Sequence, residues 1–262
     1  MPFISVIGSN LLTDSWEVLV TYRAQLLQGV INTLIVALIG TVAGLAIGLI
    51  VGAIRAVCSQ KENSEKSAAV LIKKLINTLC GIYVEVFRGT PMMIQAMFLY
   101  YALRPVFHWS AFVASIFIIS VNTGAYMAEI VRSGIQAVDR GQTEGARSLG
   151  LTSFQTMRYI VLPQAIRNCF PSIGNEFIVN IKDSCVLSCI TFTELFFEAR
   201  AIAGSMFQYE PPFFVAGCIY LILTLLTSRI LAIVERRMNH TQSSYPASQS
   251  VENSNLLNRR GE

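Results

Sequence analysis

The sequence has few charged residues, and this scarcity excludes an ordinary water-soluble protein. Charged side chains make up only 14% of the 262 residues, whereas hydrophobic residues make up 53%. The mean hydropathy is +0.53. This balance is typical of a chain that is buried largely in lipid.

Groups that bind metals or nucleotides are also scarce. Only His108 and His240 are present, and the six cysteines are scattered without a Cys-x-x-Cys pair. Their spacing favours buried apolar cysteines over a metal site or a disulfide framework. The sequence has no Gly-x-x-x-x-Gly-Lys-Ser/Thr loop either, so the chain does not bind ATP through such a loop.

Long uncharged runs predict membrane spans. Residues 26–54, 105–128 and 211–228 carry no Asp, Glu, Lys or Arg, and about 20 apolar residues cross a bilayer as a helix. Residues 72–103 and 165–190 carry a few charges but are otherwise apolar, and we predict that they span as well. A count of three spans leaves long semi-apolar loops that a membrane domain has little means to stabilise. The sequence therefore predicts an all-α integral membrane protein with five transmembrane helices.

Basic residues predict the orientation. They cluster after the first, third and fifth predicted helices, at Arg55, Lys61, Lys66, Lys73, Lys74, Arg132, Arg140, Arg147, Arg158, Arg229, Arg236 and Arg237. These segments should be cytoplasmic, which places the N-terminus outside and the C-terminus inside. The net charge of +4 follows from this asymmetry and gives no reason to expect a nucleic-acid partner.

The two ends of the chain differ from its middle. We expect residues 1–25 to lie at the outer surface, with an amphipathic helix over residues 3–28. They lack the basic region and cleavage site of a secretory signal peptide. Residues 238–262 are rich in Ser, Asn, Gln and charge, which predicts a disordered cytoplasmic tail. The membrane domain then covers residues 26–237.

Four glycines on the first predicted helix share one face. Gly40, Gly44, Gly48 and Gly52 are each four residues apart, and small residues at this spacing let two helices approach closely. We interpret them as a packing surface rather than a substrate site. The partner helix is either in the same subunit or in a neighbouring one.

A short polar segment between the third and fourth predicted helices has a distinctive spacing. It carries Glu144-Gly145-Ala146, then Gly150, then Ile160-Val161-Leu162-Pro163. This pattern resembles the loop by which the membrane subunit of an ABC importer docks on its ATPase. Gly145 replaces an Ala of the family pattern, which costs up to about 1 kcal/mol of helix stability.

Individual roles follow for this docking loop, which we place at residues 139–163. Thr143 is predicted to cap a short helix, with Glu144 in its first turn. Leu149 and Leu151 are predicted to be apolar contacts for the ATPase. Gly150 is predicted to take a backbone conformation that other residues resist.

Further stretches resemble one transporter family. They are VEVFRGTP at residues 84–91 followed by Tyr100-Tyr101, NTGAYMAEIVR at residues 122–132, GNEFI at residues 174–178 and KDS at residues 182–184. With the docking loop, they resemble the polar amino acid ABC permeases of the histidine, glutamine and arginine type over residues 25–237. The run at residues 185–189 departs from the usual Ser/Thr-Leu-rich version.

This resemblance implies a type I, binding-protein-dependent importer in the bacterial cytoplasmic membrane. Two five-helix permeases, identical or homologous, would be joined by an ATPase dimer and an extracytoplasmic amino-acid-binding protein. ATP with Mg²⁺ would be bound by the ATPase, so this multi-pass chain would be non-catalytic and have no cofactor of its own. Alternating access would be driven through residues 144–163.

The second predicted helix contains a break. Thr90 suits a helix cap and Pro91 a first helical position, and a helix N-terminus inside a membrane favours an anion. The α-carboxylate of a substrate is therefore predicted near Thr90 and Met92. Alternatively, Glu85 and Arg88, three residues apart, only neutralise each other.

The third and fourth predicted helices each carry a polar stripe. Asn122, Tyr126 and Glu129 share one face, as do Glu176, Asn180 and Asp183. Because a carboxylate in a bilayer needs a cavity or a partner, we predict that these stripes line the substrate path. Lys182 is a candidate partner for Asp183 or Glu129, and a purely structural network is the alternative.

Glu176 is predicted to help select the substrate. A carboxylate at this position attracts an α-ammonium or guanidinium group, which favours a cationic amino acid such as arginine, lysine or histidine, with glutamine as the alternative. Two other functions compete. An ion-coupled secondary transporter usually shows inverted repeats, which we do not find. A membrane-embedded enzyme or scaffold is the third possibility, and the scarcity of His and the lack of nucleophile triads and metal spacings count against the enzyme.

Overall fold

Residues 2–58 and 67–240 are described by the computed structural model, and within them the chain forms helices and no strand. The segments are α1 Pro2–Thr21, α2 Arg23–Cys58, α3 Ser67–Gly89, α4 Met92–Phe107, α5 Ala111–Gln136, α6 Arg140–Ser148, α7 Ser153–Thr156, a π-helical turn Met157–Val161, α8 Leu162–Asp183, a 3₁₀ helix Ser184–Ile190, α9 Leu195–Met206 and α10 Glu210–His240.

Among the residues that the structure describes, three helices are long and apolar enough to cross a membrane. They cover Arg23–Ala56, Ala111–Gln136 and Glu210–Arg237, and they match the first, third and fifth predicted spans. The predicted spans over residues 72–103 and 165–190 stay predictions.

The predicted start of the third span is wrong. Pro105 lies inside α4, which ends at His108 in a left-handed conformation with φ 48°. Ser110 then caps α5, and its side chain accepts a hydrogen bond from the Val113 N–H. At its other end α5 continues past Glu129 and Arg132 to Gln136, since these charged side chains pair with each other instead of ending the helix.

The second predicted span is divided into α3 and α4, and the predicted cap between them is wrong. Pro91 occupies the cap position itself, and α4 begins at Met92 without a side-chain cap. The Thr90 hydroxyl instead donates back to the Val86 carbonyl at 2.8 Å. Thr90 therefore follows α3 directly and its side chain bonds to the last turn of α3 instead of capping α4.

The N-terminal segment is two helices rather than one over residues 3–28. Tyr22 separates α1 from α2. Val18 of α1 is buried in a cluster with Leu195 and Ala199 of α9 and Val215 of α10. At the other end, the backbone of α10 remains helical to His240, and the rest of the predicted tail lies outside the described residues.

A buried carboxylate fixes the junction between the 3₁₀ helix, α9 and α10. Glu194 has no exposed surface, and its two oxygens accept hydrogen bonds from the N–H groups of Phe196 and Phe197, each at 2.7 Å. The Tyr220 hydroxyl donates to the same carboxylate at 2.8 Å. Glu194 thus caps α9 and ties it to α10.

The glycine face of α2 packs against α5 of the same chain. A Cβ built on Gly40 would meet Ile119, one on Gly44 would meet Thr123, and one on Gly52 would meet the carbonyl oxygen of Ala128. This contact brings the two helix backbones together over several turns. Within the described residues, the partner of the glycine face is therefore α5.

A three-helix hydrogen-bond network continues from this interface. Asn180 of α8 donates to the Thr41 hydroxyl of α2 at 2.8 Å and accepts from the Thr123 hydroxyl of α5 at 3.0 Å. All three side chains are buried. The network fixes the position of α8 relative to the α2–α5 pair.

Gly48→Ala should destabilise the protein by about 1–3 kcal/mol, the usual cost of overpacking. The added Cβ would lie 2.7 Å from the Met127 carbonyl carbon, and backbone atoms have little freedom to move away. Thermal unfolding of the detergent-purified protein measures the effect.

Gly217→Ala in α10 is the matched control, because a Cβ at that position meets nothing within 4 Å. It should leave the unfolding temperature unchanged or raise it slightly. Equal unfolding temperatures for the two variants would contradict close packing at Gly48.

Candidate functional site

The docking loop predicted at residues 139–163, which we call the docking segment from here on, begins with α6. The residue that caps α6 differs from the predicted one. The Asp139 side chain accepts a hydrogen bond from the Gly141 N–H at 2.7 Å and is the cap. Thr143 and Glu144 therefore lie in the middle of α6, and the prediction that Thr143 caps this helix is wrong. Asp139 suits the position because its short side chain reaches the first free N–H groups.

The end of α6 confirms the conformation predicted for Gly150. The Leu151 N–H donates to the Ala146 carbonyl at 3.2 Å, and the Gly150 N–H donates to the Arg147 carbonyl at 2.9 Å. These two bonds form a Schellman motif. Gly150 has φ +83°, a left-handed conformation that costs other residues about 1–2 kcal/mol.

Apolar groups of this segment differ in exposure. Leu149 is 83% exposed and Phe154 is 71% exposed, whereas Ala146 is only 6% exposed. Leu151 is half-buried. Gly145 lies inside α6, where an added Cβ would meet nothing within 4 Å. The segment thus presents large apolar side chains outward while Ala146 packs inward.

The docking segment continues into α8 without a loop. Thr152 and Gln155 form a reciprocal capping box at the start of α7. α7, the π-helical turn and α8 then form one unbroken helical run. We attribute the π-helical turn to Pro163, which has no N–H for an ordinary helical bond to Tyr159 four residues earlier.

A cavity of about 400 Å³ lies between α3, α5 and α8. Its wall extends from the middle of α5 and α8 towards the ends that adjoin the docking segment, and it is formed by Arg88, Tyr126, Glu129, Ile130, Ser133, Gly134, Ala137, Asn168, Cys169, Ser172 and Glu176. Seven of these eleven residues have polar or charged side chains. Such a cavity suits a small polar ligand.

Glu129 is bound by two arginines. Arg55 of α2 donates to one carboxylate oxygen at 3.1 Å, and Arg132 donates to the other through Nε at 2.9 Å and also through Nη2. The prediction that Lys182 partners Glu129 is therefore wrong, because the α2–α5 contact brings Arg55 to this carboxylate. Asp183 forms no salt bridge within the described part of the chain, so pairing with Lys182 is not found there either.

Arg88 contacts Tyr126 rather than Glu85. Its guanidinium lies over the Tyr126 ring, 5.4 Å from the centroid, and among the described residues it forms no salt bridge with Glu85. The alternative in which Glu85 and Arg88 neutralise each other is therefore wrong. Arg88 belongs instead to the cavity wall.

The six predicted path residues do not all line the cavity. Tyr126 and Glu176 lie together on the cavity wall. Asn122 donates to the Gln95 side chain at 2.8 Å, and Gln95 in turn donates to Thr90 Oγ1 at 2.7 Å, so Asn122 and Thr90 belong to a network at the α3–α4 break.

The two remaining path residues are on α8. Asn180 belongs to the three-helix network with Thr41 and Thr123. Asp183, at the end of α8, is half-buried. The direct contact of all these residues with a substrate stays a prediction.

Sequence reasoning missed several residues of the cavity wall, although a signal was present. Asn168 and Ser172 precede Glu176 at intervals of four, so they continue its stripe towards the docking segment. Ser133 follows Tyr126 at an interval of seven and extends the stripe on α5 in the same direction. Arg55, which is not part of the wall but binds Glu129, was not identifiable in this way, because it lies on a helix far away in the sequence.

The sequence matches a protein family over residues 67–240, and that family is described as "binding-protein-dependent transport system inner membrane component". The glutamine transport system permease protein GlnP of Escherichia coli strain K12 is 33% identical over 226 residues, which cover 85% of this chain and 97% of that protein. A relative in Rickettsia felis that carries the GlnP designation is 34% identical over 225 residues, covering 85% and 98% of the two chains.

Solved structures share the fold. A crystal structure described as an amino acid ABC transporter with histidines is 37% identical, with a TM-score of 0.71, over 84% of this chain and 96% of that chain. An inward-facing structure of the methionine ABC transporter MetNI has the same TM-score of 0.71 at 20% identity. The second match, over 83% of this chain and 98% of the other, shows the fold alone.

These matches agree with the geometry of the docking segment and the cavity. The family match includes the docking segment, the cavity wall and α10. The expected type I ABC permease fold is confirmed by the first structure. The chain belongs to the family of inner membrane components of binding-protein-dependent transport systems, as a permease subunit.

Proposed function

We propose that this chain is the membrane permease of an ATP-driven importer of polar amino acids. The substrate would pass through the cavity between α3, α5 and α8 by alternating access. Energy would come from a separate ATPase that docks on α6 and the residues after it.

One observation carries this proposal: a single helical run joins the docking segment to the cavity. α7 starts two residues after Leu151, and the run continues through α8 past Asn168 and Ser172 to Glu176. A displacement of α6 would therefore move one wall of the cavity, since a helix transmits motion along its axis.

The substrate class is supported by the cavity and the relatives together. GlnP of Escherichia coli is named a glutamine transport permease, and the 37% identical structure is described as an amino acid transporter. Tyr126 and Glu176 supply a hydroxyl and a carboxylate for the polar groups of such a ligand. Glu176 favours a cationic side chain such as that of arginine, lysine or histidine, with glutamine as the alternative.

The assembly would contain several further proteins. We expect an ATPase dimer that binds ATP with Mg²⁺, a second permease that is identical or homologous, and an extracytoplasmic amino-acid-binding protein. The family description, which names binding-protein-dependent transport, supports the last of these. The complex would lie in the bacterial cytoplasmic membrane with the docking segment on the cytoplasmic side.

Reconstitution separates this function from that of an ion-coupled secondary transporter. Liposomes that contain the permease alone should not accumulate arginine or glutamine, whatever ion gradient is imposed. Uptake should appear when the ATPase, the binding protein and ATP are added. Accumulation by the permease alone would establish the secondary transporter instead.

Gly150→Val should reduce ATP-driven uptake by about tenfold or more while ATP hydrolysis by the complex continues. A β-branched residue resists the φ of +83° at this position, so the end of α6 would be rearranged. The measurement is the ratio of substrate transported to ATP hydrolysed in proteoliposomes.

Gly150→Asn is the matched control, because Asn tolerates the left-handed conformation better than other side chains do. It should retain most of the coupling, and both variants should insert normally into the membrane. Normal uptake by Gly150→Val would refute the assignment of this turn to coupling.

Glu176→Gln should reduce uptake of arginine by about tenfold or more, since charged hydrogen bonds are worth more than neutral ones. The amide keeps the shape of the side chain and removes its charge. Initial rates of arginine and glutamine uptake, measured side by side, show whether the carboxylate binds the cationic side chain or the α-ammonium group. Loss of arginine uptake alone indicates the side chain, and equal losses indicate the α-ammonium group.

Glu17→Gln is the control for the loss of one carboxylate, because Glu17 is exposed on α1 and does not line the cavity. It should transport both amino acids normally. If Glu176→Gln does so as well, Glu176 has no part in selecting the substrate.

A further inference from the structure

We propose that Arg88 binds the α-carboxylate of the amino acid, opposite Glu176 in the same cavity. This inference rests on the function proposed above and assigns a second charged group to the substrate site. It moves the carboxylate from the start of α4, where the sequence alone placed it, to the end of α3.

The polar side chains around the start of α4 are bound to one another. Gln95 donates to the carbonyl oxygens of Phe87 and Thr90, each at 2.9 Å, and also to the Thr90 hydroxyl oxygen. Asn122 donates to the Gln95 amide oxygen at 2.8 Å. These groups stabilise the break between α3 and α4, and their hydrogen bonds are already made within the protein.

Arg88, unlike these side chains, is not part of a hydrogen-bond network among the described residues. It lies at the end of α3 on the cavity wall, its side chain is exposed, and among the described residues no carboxylate lies within salt-bridge distance of it. Its one described contact is the Tyr126 ring, 5.4 Å from the guanidinium to the centroid. A guanidinium over a ring keeps the N–H groups at its edge available.

Of the other charged residues of the cavity wall, Glu129 has salt-bridge partners among the described residues and Glu176 does not. Glu129 forms its salt bridges with Arg55 and Arg132, and Arg88 acts on it only from a longer distance. Glu176 forms no salt bridge within the described residues. Arg88 and Glu176 attract each other across the cavity but form no salt bridge. The cavity therefore presents a cation and an anion between which a ligand can bind, and they match the two charges common to every zwitterionic amino acid.

Arginine suits a carboxylate better than lysine does. Its planar guanidinium donates two parallel hydrogen bonds to the two carboxylate oxygens. The Tyr126 ring would hold that plane in one orientation. Arg88 would thus recognise the part of the substrate that all amino acids share, while the rest of the wall contacts the side chain.

The test uses the permease co-purified with its ATPase in lipid nanodiscs, without the binding protein. Equilibrium binding of L-arginine and L-glutamine is compared with binding of L-argininamide and L-glutamine amide, which lack the carboxylate. Wild-type protein should bind each acid about tenfold or more tightly than its amide. Arg88→Met should lose this preference, and Arg88→Lys should keep part of it.

Arg104→Met is the matched control, because Arg104 lies over the Tyr100 ring at the same 5.4 Å but does not line the cavity. It should leave the preference for the acid unchanged. Recovery of the intact complex by size-exclusion chromatography shows that each variant assembles.

The outcomes separate the two proposals. If Arg88→Met weakens binding of acid and amide by the same factor, or keeps the wild-type preference, Arg88 does not bind the carboxylate, although the transport function stands. If wild-type protein binds none of the four compounds, both the inference and the proposed substrate class are wrong.

Discussion

The close approach of α2 and α5 is the constraint on which the rest of the structure depends. Because Gly44 and Gly48 have no side chain, the backbones of α2 and α5 lie directly against each other. The hydrophobic effect does not drive this contact in a bilayer, because lipid tails are as apolar as leucine. This approach places Thr41 within reach of Asn180 and Arg55 within reach of Glu129. The packing of the glycine face on α5 thus sets the geometry of a polar network and of an ion cluster.

The ion cluster of Arg55, Glu129 and Arg132 in turn determines which charged side chains of the cavity have a salt-bridge partner. A carboxylate in a membrane helix is costly unless it is paired, and Glu129 meets this requirement with two arginines. Arg88 and Glu176 are not part of that cluster. Glu129 is therefore paired while Glu176 forms no salt bridge within the described residues, and this distinction arises from helix packing rather than from residue type.

Local features of the sequence predicted much of the fold, and long-range contacts account for the errors. The uncharged runs predicted the three apolar helices, and the glycine spacing predicted close packing, because both depend on residues within one helix. Lys182 was a wrong partner for Glu129, since Arg55 lies 74 residues away in the sequence. The predictions that Thr143 and Thr90 cap helices were wrong. Several residues near a helix start have side chains that can cap it, and only the fold determines which one does. The prediction for the backbone conformation of Gly150 was right because that conformation is determined by the adjacent turn.

The proposed coupling depends on how force reaches α8. α6 contacts the following run through few polar bonds, such as Arg147 to Ser153 at 3.1 Å, and through buried Ala146. The turn at Gly150 therefore fixes the angle between α6 and α7, and a rigid turn is required for α6 to move α8 rather than to rotate alone. Beyond the turn, the helical run to Glu176 contains no loop, although Pro171 inside α8 removes one of its backbone hydrogen bonds. An ATPase that moved Leu149 would thus displace the part of α8 that carries Asn168, Ser172 and Glu176, while Asn180 keeps the far end of α8 bound to α2 and α5.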